Sequence, residues 1–266
     1  MTPTPVTYTK DSLIAKLKEI ANSGFIPNAR PGNAGGIGNT LEDLLGIEEN
    51  NLPMPNAAEW ELKTHRLGST ALTTLLHIEP SPRAVRFVPR VLLPQYGWAH
   101  QEAGTKYSRG EMSFRQTIHG KSRSDRGFKV VIDRAARKVL ISFDAKSVDT
   151  RHADWLETVK RHAGLGELNP QPYWGFDDLE HAAGAKLPNA FFVQAEVKRE
   201  GRKEYYKYCK VTMLQKFSFD GFLSALEDAN LLVDFDARTG HNHGTKFRLR
   251  EDCLPQLYAK ATKIIG

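Results

Sequence analysis

Two charged residues two positions apart, Glu61 and Lys63, carry the clearest chemistry in the sequence. The segment Glu59–Thr64 alternates apolar and charged residues, which predicts a short strand with Glu61 and Lys63 on one face. A carboxylate in this position can hold Mg²⁺, which polarises a phosphate and lowers the pKa of a bound water. The lysine can position that water and stabilise the charge that develops on the phosphate. The same spacing is also typical of the solvated face of an edge strand.

Three neighbouring features strengthen the catalytic interpretation. Glu42 lies on a helix that we expect to begin at Thr40, with Asp43 in the capping-box position. A glycine-rich turn over residues 35–38 precedes this helix, and glycine permits close backbone approach. Asn56 follows Pro55 and stands five residues before Glu61, where a second metal ligand would be wanted.

With these motifs, the chain resembles the MvaI/BcnI family of type II restriction endonucleases, which are PD-(D/E)XK nucleases related to the mismatch-repair nickase MutH. The resemblance extends in order over nearly the whole chain. The matching segments are Gly36–Leu45, Glu48–Asn51, Pro55, Glu61–His65, Tyr173–Asp177, Lys203–Tyr208 and His241–Arg248.

The resemblance implies a monomer that binds double-stranded DNA, needs no protein partner and requires Mg²⁺. It implies hydrolysis at a short GC-rich site of CC-x-GG type (CCWGG or CCSGG), one strand per binding event, within a restriction-modification system. Residue by residue, it assigns Glu61 and Lys63 to the E-x-K pair and Glu42 to the helical acidic position. Asn56 and Glu61 take the two metal-ligand positions.

Asn56 departs from the family pattern, which has an aspartate at this position. The amide has nearly the same shape but no charge, so we expect weaker Mg²⁺ binding and cleavage slowed by orders of magnitude, with DNA binding retained. Two interpretations remain: a variant inactivated to trap uncut DNA, or a natural protein with an altered site. The intact neighbouring motifs favour the first.

A second candidate region lies near the C-terminus, where His241, His243, Lys246 and Arg248 surround Gly244. We expect a loop rich in donors, which suits the O6 and N7 acceptors of guanine in the major groove. A metal-binding His-x-His pair and a solvated basic turn are the alternatives.

A basic stretch in the middle of the chain offers Arg115, Lys121 and Arg123 for contacts with phosphates, or else forms a flexible charged loop. His65 and His77 are further candidates for facing DNA, although His77 could be a polar strand end. The tyrosines of the segment Tyr205–Tyr208 could stack on bases, but their alternation favours packing within a sheet.

Composition is consistent with a nucleic-acid-binding protein and excludes few other classes. The 266 residues carry a net charge of +6, and 40% are hydrophobic. Two separated cysteines, no apolar leader and no apolar run of about 20 residues lead us to expect a cytoplasmic protein.

Helical and strand patterns are interspersed, so we expect an α/β fold with a mixed β-sheet core flanked by helices, in two lobes that form a DNA cleft. The catalytic lobe is expected over residues 1–150 and the recognition lobe over 151–266, with long loops over residues 80–127. Expected helices are Lys10–Ala21, Asp154–His162, Phe217–Ala229 and Cys253–Lys263. Expected strands besides the catalytic one are Leu72–Ile78, Phe128–Asp133, Lys138–Asp144, Phe191–Lys198, Tyr205–Lys210, Val211–Leu214, Leu231–Phe235 and Phe247–Leu249.

Three functions therefore compete. The first is an autonomous site-specific endonuclease, and the second is a MutH-like nickase that works with partner proteins. The third is a non-catalytic DNA-binding protein that has kept the nuclease fold and lost the aspartate.

Overall fold

The computed structural model describes residues 8–32, 35–47 and 60–266. It contains six α-helices: α1 (Lys10–Asn22), α2 (Gly36–Leu45), α3 (Leu93–Tyr96), α4 (Ala153–His162), α5 (Phe176–Gly184) and α6 (Phe219–Glu227). Its strands are β1 (Ile26–Pro27), β2 (Glu61–Arg66), β3 (Leu72–His77), β4 (Trp98–Ala99), β5 (Met112–Ile118), β6 (Arg126–Asp133), β7 (Lys138–Val148), β8 (Tyr173–Gly175), β9 (Ala190–Glu200), β10 (Lys203–Phe217), β11 (Leu231–Arg238), β12 (His241–Arg250) and β13 (Tyr258–Ile265). Within these ranges no helix is both long and apolar enough to cross a bilayer.

The chain folds into two compact units, and each is discontinuous in sequence. Unit 1 comprises Met1–Ala71, Leu187–Gly221 and Glu251–Gly266, and unit 2 comprises Leu72–Lys186 and Phe222–Arg250. The boundary expected at residue 150 therefore falls inside unit 2. The physical reason is strand pairing, since β2, β9, β10 and β13 join one sheet although they lie far apart in the chain.

Unit 1 contains a five-stranded mixed sheet with the order β1-β10-β9-β2, and β13 pairs with β10. β2 runs parallel to β9, while β9, β10, β1 and β13 pair antiparallel. Leu13 and Leu17 of α1 and Leu41 and Leu45 of α2 share one buried core with Leu62 of β2. The two helices therefore cover one face of this sheet.

Unit 2 contains a five-stranded sheet, β3-β12-β11-β5-β4, and a three-stranded sheet, β6-β7-β8. Its core is rich in aromatic rings, including Phe114, Phe128 and Phe143, whose neighbouring ring centroids are 5.1 to 5.7 Å apart. The 3₁₀ segments Arg83–Val85 and Thr150–His152 and the π-helical Val88–Leu92 also lie here. The mixed α/β class expected from the sequence is confirmed, as is the hairpin of β6 and β7.

Three expected elements differ from the structure. The segment expected as a helix at Cys253–Lys263 is a 3₁₀ segment, Glu251–Leu257, followed by β13, because residues 258–265 pair with the edge of β10. The helix α2 begins at Gly36 and not at Thr40. The region over residues 80–127 is not simply long loops, since it contains α3, β4 and β5.

Candidate functional site

The strand β2 places Glu61 and Lys63 on one face, as the alternating sequence predicts. Among the described strands β2 pairs only with β9, in parallel register with Ala190 opposite Glu61 and Phe192 opposite Lys63. The Lys63 Nζ donates to Glu61 Oε1 at 2.9 Å, and the two side chains are 40% and 21% exposed. A carboxylate and an ammonium are thus held side by side and open to solvent.

Oxygen ligands and a nearby cation suit a hard divalent ion acting on a phosphate. Mg²⁺ is usually held by one or two carboxylates together with substrate phosphates. Glu61 offers one such carboxylate, and Asn56, which lies outside the described residues, could add a neutral amide oxygen. The donor set therefore fits Mg²⁺ in type but has one negative charge fewer than an aspartate would give. In the part of the chain that the structure describes, no three His, Cys, Asp or Glu side chains cluster to hold a metal.

Glu42 lies on α2, the helix that packs on the same sheet through Leu41 and Leu45. Gly36 and Gly38, which precede Glu42 within α2, allow close contacts with neighbouring residues and do not form a turn. A Cβ on Gly36 would lie 2.8 Å from Tyr206 Oη and from Asn28 Nδ2, and one on Gly38 would lie 3.2 Å from Thr64 Oγ1. Glycine therefore lets α2 approach β10 and β2 closely.

His65 continues the face of Glu61 and Lys63, but its ring is only 2% exposed. Its Nδ1 lies 2.7 Å from Glu251 Oε2, and it stacks on Phe192 with the centroids 5.9 Å apart. The expectation that His65 faces DNA is therefore wrong for this ring, because burial and the Glu251 contact occupy it. Its place beside Lys63 makes it a support of the catalytic strand.

Four other candidates meet on one face of the larger sheet of unit 2. Lys246 lies opposite His77 on one side and Asp234 on the other, because β12 pairs with both β3 and β11. Arg115, Lys246 and Arg248 line one cavity of about 370 Å³ on this sheet. We call this surface the β12 face, defined by Arg115, Thr117, Asp234, Asp236, Lys246 and Arg248.

The β12 face alternates cations and carboxylates. Asp234 accepts from Thr117 Oγ1 at 2.7 Å and from Arg248 at 3.4 Å. Asp236 pairs with Arg115 Nε at 3.0 Å. The sequence-based list of site residues omitted Asp234, Asp236 and Thr117. The alternation of buried apolar and acidic residues in Leu231–Arg238 is the signal that would have revealed the two aspartates.

His241 and His243 lie exposed at the start of β12, with ring centroids 4.3 Å apart. The segment expected as a loop is a strand throughout, and Gly244 with φ of 81° sits within it. Glu79 closes this irregularity, since its Oε1 accepts from the Thr245 amide at 2.9 Å and its Oε2 from Thr245 Oγ1 at 3.1 Å. The histidines are therefore held on a regular element.

Lys121 and Arg123 have different environments. Lys121 is exposed beyond the end of β5, as a phosphate contact would require. Arg123 instead donates to the Gly127 carbonyl at 2.8 Å and to Ser142 Oγ at 3.1 Å, and its side chain is 27% exposed. The Arg123 guanidinium thus links β6 and β7, and its contact with DNA stays a prediction.

A second cavity in unit 2, of about 580 Å³, shares Arg115 with the β12 face. Here the Arg126 guanidinium lies 3.9 Å from the centroid of the Trp98 ring. Burial lowers the pKa of Arg126, and Asp125 opposes this shift. Sequence reasoning did not single out Trp98 or Arg126, since they come from separate strands.

The aromatic run in Lys203–Tyr208 serves packing, as its alternation favours. Tyr206 and Tyr208 are buried at 0% and 1% exposure, and Tyr208 donates to the Ile37 carbonyl at 2.7 Å. Burial raises the pKa of the Tyr208 hydroxyl far above its ordinary value. These two rings therefore belong to the core of unit 1.

A mixed α/β fold with a solvent-accessible Glu-x-Lys pair on a strand is typical of nucleases of the PD-(D/E)XK class. The family model of the MvaI/BcnI restriction endonuclease family matches residues 14–258, so the chain belongs to that family and is a type II site-specific deoxyribonuclease by descent.

Two solved structures have the same fold. One is described as a restriction endonuclease MvaI-cognate DNA substrate complex, with 24% identity and a TM-score of 0.65 over 97% of this chain and all of that one. The other is restriction endonuclease MvaI in the absence of DNA, with 25% identity and a TM-score of 0.61 over 99% of this chain and all of that one. The comparison with curated proteins found no match.

Proposed function

We propose that this chain recognises double-stranded DNA at a short site of CC-x-GG type and hydrolyses phosphodiester bonds there with Mg²⁺. We propose further that it acts as a monomer, nicks one strand per binding event and serves a restriction-modification system. The observation that carries the chemistry is the contact of 2.9 Å between Lys63 Nζ and Glu61 Oε1 on the open face of β2.

Each site residue has a separate role in the proposed reaction. Glu61 and Asn56 would hold the metal, which when bound polarises the phosphate and lowers the pKa of a bound water. Lys63 donates to the reacting phosphate and stabilises the negative charge that develops on it. His65, buried against Glu251 and Phe192 on the same face as Lys63, keeps β2 in position. The β12 face, with His77, His241 and His243 alongside, supplies donors and acceptors for base edges.

We propose that the chain with Asn56 binds its site but scarcely cuts it. A neutral amide at a metal-ligand position lowers the local negative charge, so the affinity for Mg²⁺ falls while the DNA-binding surfaces remain. A non-catalytic DNA-binding role is the second candidate, and Asn56 is the observation that favours it.

Digestion of a sequenced plasmid with the Asn56→Asp protein tests the proposal, followed by mapping of the ends. We expect Mg²⁺-dependent cleavage at fixed sites without any partner protein, and little or none from the chain as written. The double variant Asn56→Asp/Lys63→Met is the control for contaminating nucleases. Efficient cleavage by the unaltered chain would contradict the inactivity.

Other outcomes select among the alternatives. Nicking that appears only after a protein fraction is added would support a MutH-like nickase. Failure of Asn56→Asp to cut any DNA with Mg²⁺ or Mn²⁺, while specific binding persists, would support the non-catalytic role.

A further inference from the structure

Unit 1 contains a strongly basic cavity at the end of the catalytic strand. Its volume is about 550 Å³, and it is lined by four cationic side chains and one carboxylate. These are Arg66, Arg199, Arg202, Lys203 and Glu204, and we call this site the Arg66 cavity. A local excess of three positive charges favours a polyanion as ligand.

The cavity is a built site and not a scatter of surface cations. Glu204 accepts from Arg199 Nε at 2.9 Å, from Arg66 at 3.3 Å and from the Tyr206 hydroxyl at 2.8 Å. The hydrogen bonds from Arg199 and then Tyr206 hold the pKa of Glu204 below its ordinary value. The Glu204 carboxylate thus orients the guanidinium groups of Arg199 and Arg66, but its single charge cannot neutralise all four cations.

The chain geometry places the other two cations at the rim. Arg202 and Lys203 are exposed at the turn between β9 and β10, where Gly201 has a φ of 59°. The positive φ suits glycine and lets the hairpin turn tightly. Four cations of the cavity therefore come from two elements, β2 and the β9–β10 hairpin.

The cavity lies at the end of β2, the strand that carries Glu61 and Lys63. Arg66 ends this strand three residues after Lys63, roughly 10 Å along it, and the odd spacing places its side chain on the opposite face, near Tyr206. Arg66 also lines a neighbouring cavity of about 520 Å³, together with Thr64, His65 and Glu251. An anion bound by Arg66 would thus lie close to the catalytic strand, but outside the reach of Lys63.

We propose that the Arg66 cavity binds backbone phosphates of the DNA duplex that flanks the cleavage site. Guanidinium groups bind phosphate oxygens through paired hydrogen bonds, and their fork is already oriented here by Glu204. No base-reading geometry is needed, so the contact positions the duplex without selecting its sequence. This inference rests on the proposed function, since it assigns a second contact to the same DNA.

The test compares two variants that each lose three positive charges in unit 1. The first is Arg199→Gln/Arg202→Gln/Lys203→Gln. The matched control is Lys10→Gln/Lys16→Gln/Lys18→Gln on α1. Fluorescence anisotropy measures how tightly the unaltered protein and each variant bind two DNA duplexes. One duplex ends at the recognition site, and the other extends one helical turn beyond it on both sides.

We expect the cavity variant to bind the longer duplex at least 10-fold more weakly. The slope of log K against log salt concentration should fall by the amount that about two to three phosphate contacts contribute. On the duplex that ends at the site it should match the control variant. Equal affinities and equal salt slopes for the two variants on the longer duplex would overturn the proposal.

Two further arms remove ambiguity. The double variant Arg202→Gln/Lys203→Gln leaves the bonds to Glu204 intact, so a flank-dependent loss in it cannot come from misfolding. Inorganic phosphate serves as a free ligand. If phosphate binds saturably while the affinity for DNA does not depend on flank length, the cavity is a free-anion site and the DNA assignment is overturned. Because no cleavage is measured, a failure of Asn56→Asp to cut leaves this inference untouched.

Discussion

We propose different roles for the Glu61–Lys63 pair and the β12 face, although similar residue types form both. The first is a single ion pair from one strand, where two residues at one spacing supply the carboxylate and the ammonium. The second gathers Arg115, Thr117, Asp234 and Arg248 from three strands, and carboxylates accompany both arginines. Hydrolysis needs one reactive point, whereas reading base pairs needs donors and acceptors spread over a surface.

The largest expected effect is on the cleavage rate, when Lys63 of the Glu61–Lys63 pair is replaced. In the Asn56→Asp background, Lys63→Met should lower the cleavage rate by about 10²–10³-fold, because the charge that develops on the phosphate loses its stabilising donor. Binding of the cognate duplex should change little. Single-turnover cleavage and anisotropy measure the two quantities.

Lys207→Met is the matched control, since Lys207 also pairs with a glutamate in unit 1, Glu196 at 3.5 Å. It should cleave like its parent. If the Lys63→Met variant cleaved DNA as fast as the Lys207→Met variant, the proposed catalytic role of Lys63 would be contradicted.

The next effect concerns the β12 face. Arg248→Gln should reduce discrimination between the cognate duplex and one with a single substituted base pair by about 1–3 kcal/mol, roughly 5- to 150-fold. Competition binding with the two duplexes measures this. Arg134→Gln removes an equal charge from a surface pair with Glu227 and should leave discrimination intact. Equal weakening on both duplexes by Arg248→Gln would indicate a backbone contact instead.

A packing variant tests the close approach of α2 to β10. Gly36→Ala should lower the free energy of unfolding by about 1–3 kcal/mol, because the new Cβ would meet Tyr206 Oη and Asn28 Nδ2 at 2.8 Å. Gly166→Ala, where a Cβ meets nothing within 4 Å, should stay within about 0.5 kcal/mol. Urea denaturation midpoints decide, and equal midpoints would mean that α2 does not need this close approach.

The smallest effect is a pH dependence at Glu204. Its pKa is lowered from the ordinary value of 4.5. The ionised carboxylate therefore stabilises the fold above about pH 4.5, and this contribution is lost as the pH falls through the lowered pKa. Glu204→Gln should be less stable than the parent at neutral pH, and the gap should narrow in acid.

Urea denaturation at several pH values measures this gap, and Glu157→Gln on the surface of α4 is the control. A gap for Glu204→Gln that stays constant down to acid pH would show that the ionised form of Glu204 contributes no stability.

The sequence by itself determined the common face of Glu61 and Lys63, the family and many elements. Glu61 and Lys63 are readable because a strand has a period of two, so their common face follows from spacing alone. The core helix α1 and the β6–β7 hairpin follow from local apolar periodicity in the same way. Residues near one another in sequence need no knowledge of the fold.

Tertiary structure alone decided which distant residues meet. The partners Asp234 and Asp236 of the β12 face, the Glu251 contact of His65 and the Arg66 cavity all join segments that lie far apart in the chain. Strand pairing also overrode local pattern, since residues 258–265 look helical but complete a sheet edge on β10. The physical reason is that pairing and burial reward contacts between distant segments, which no local period records.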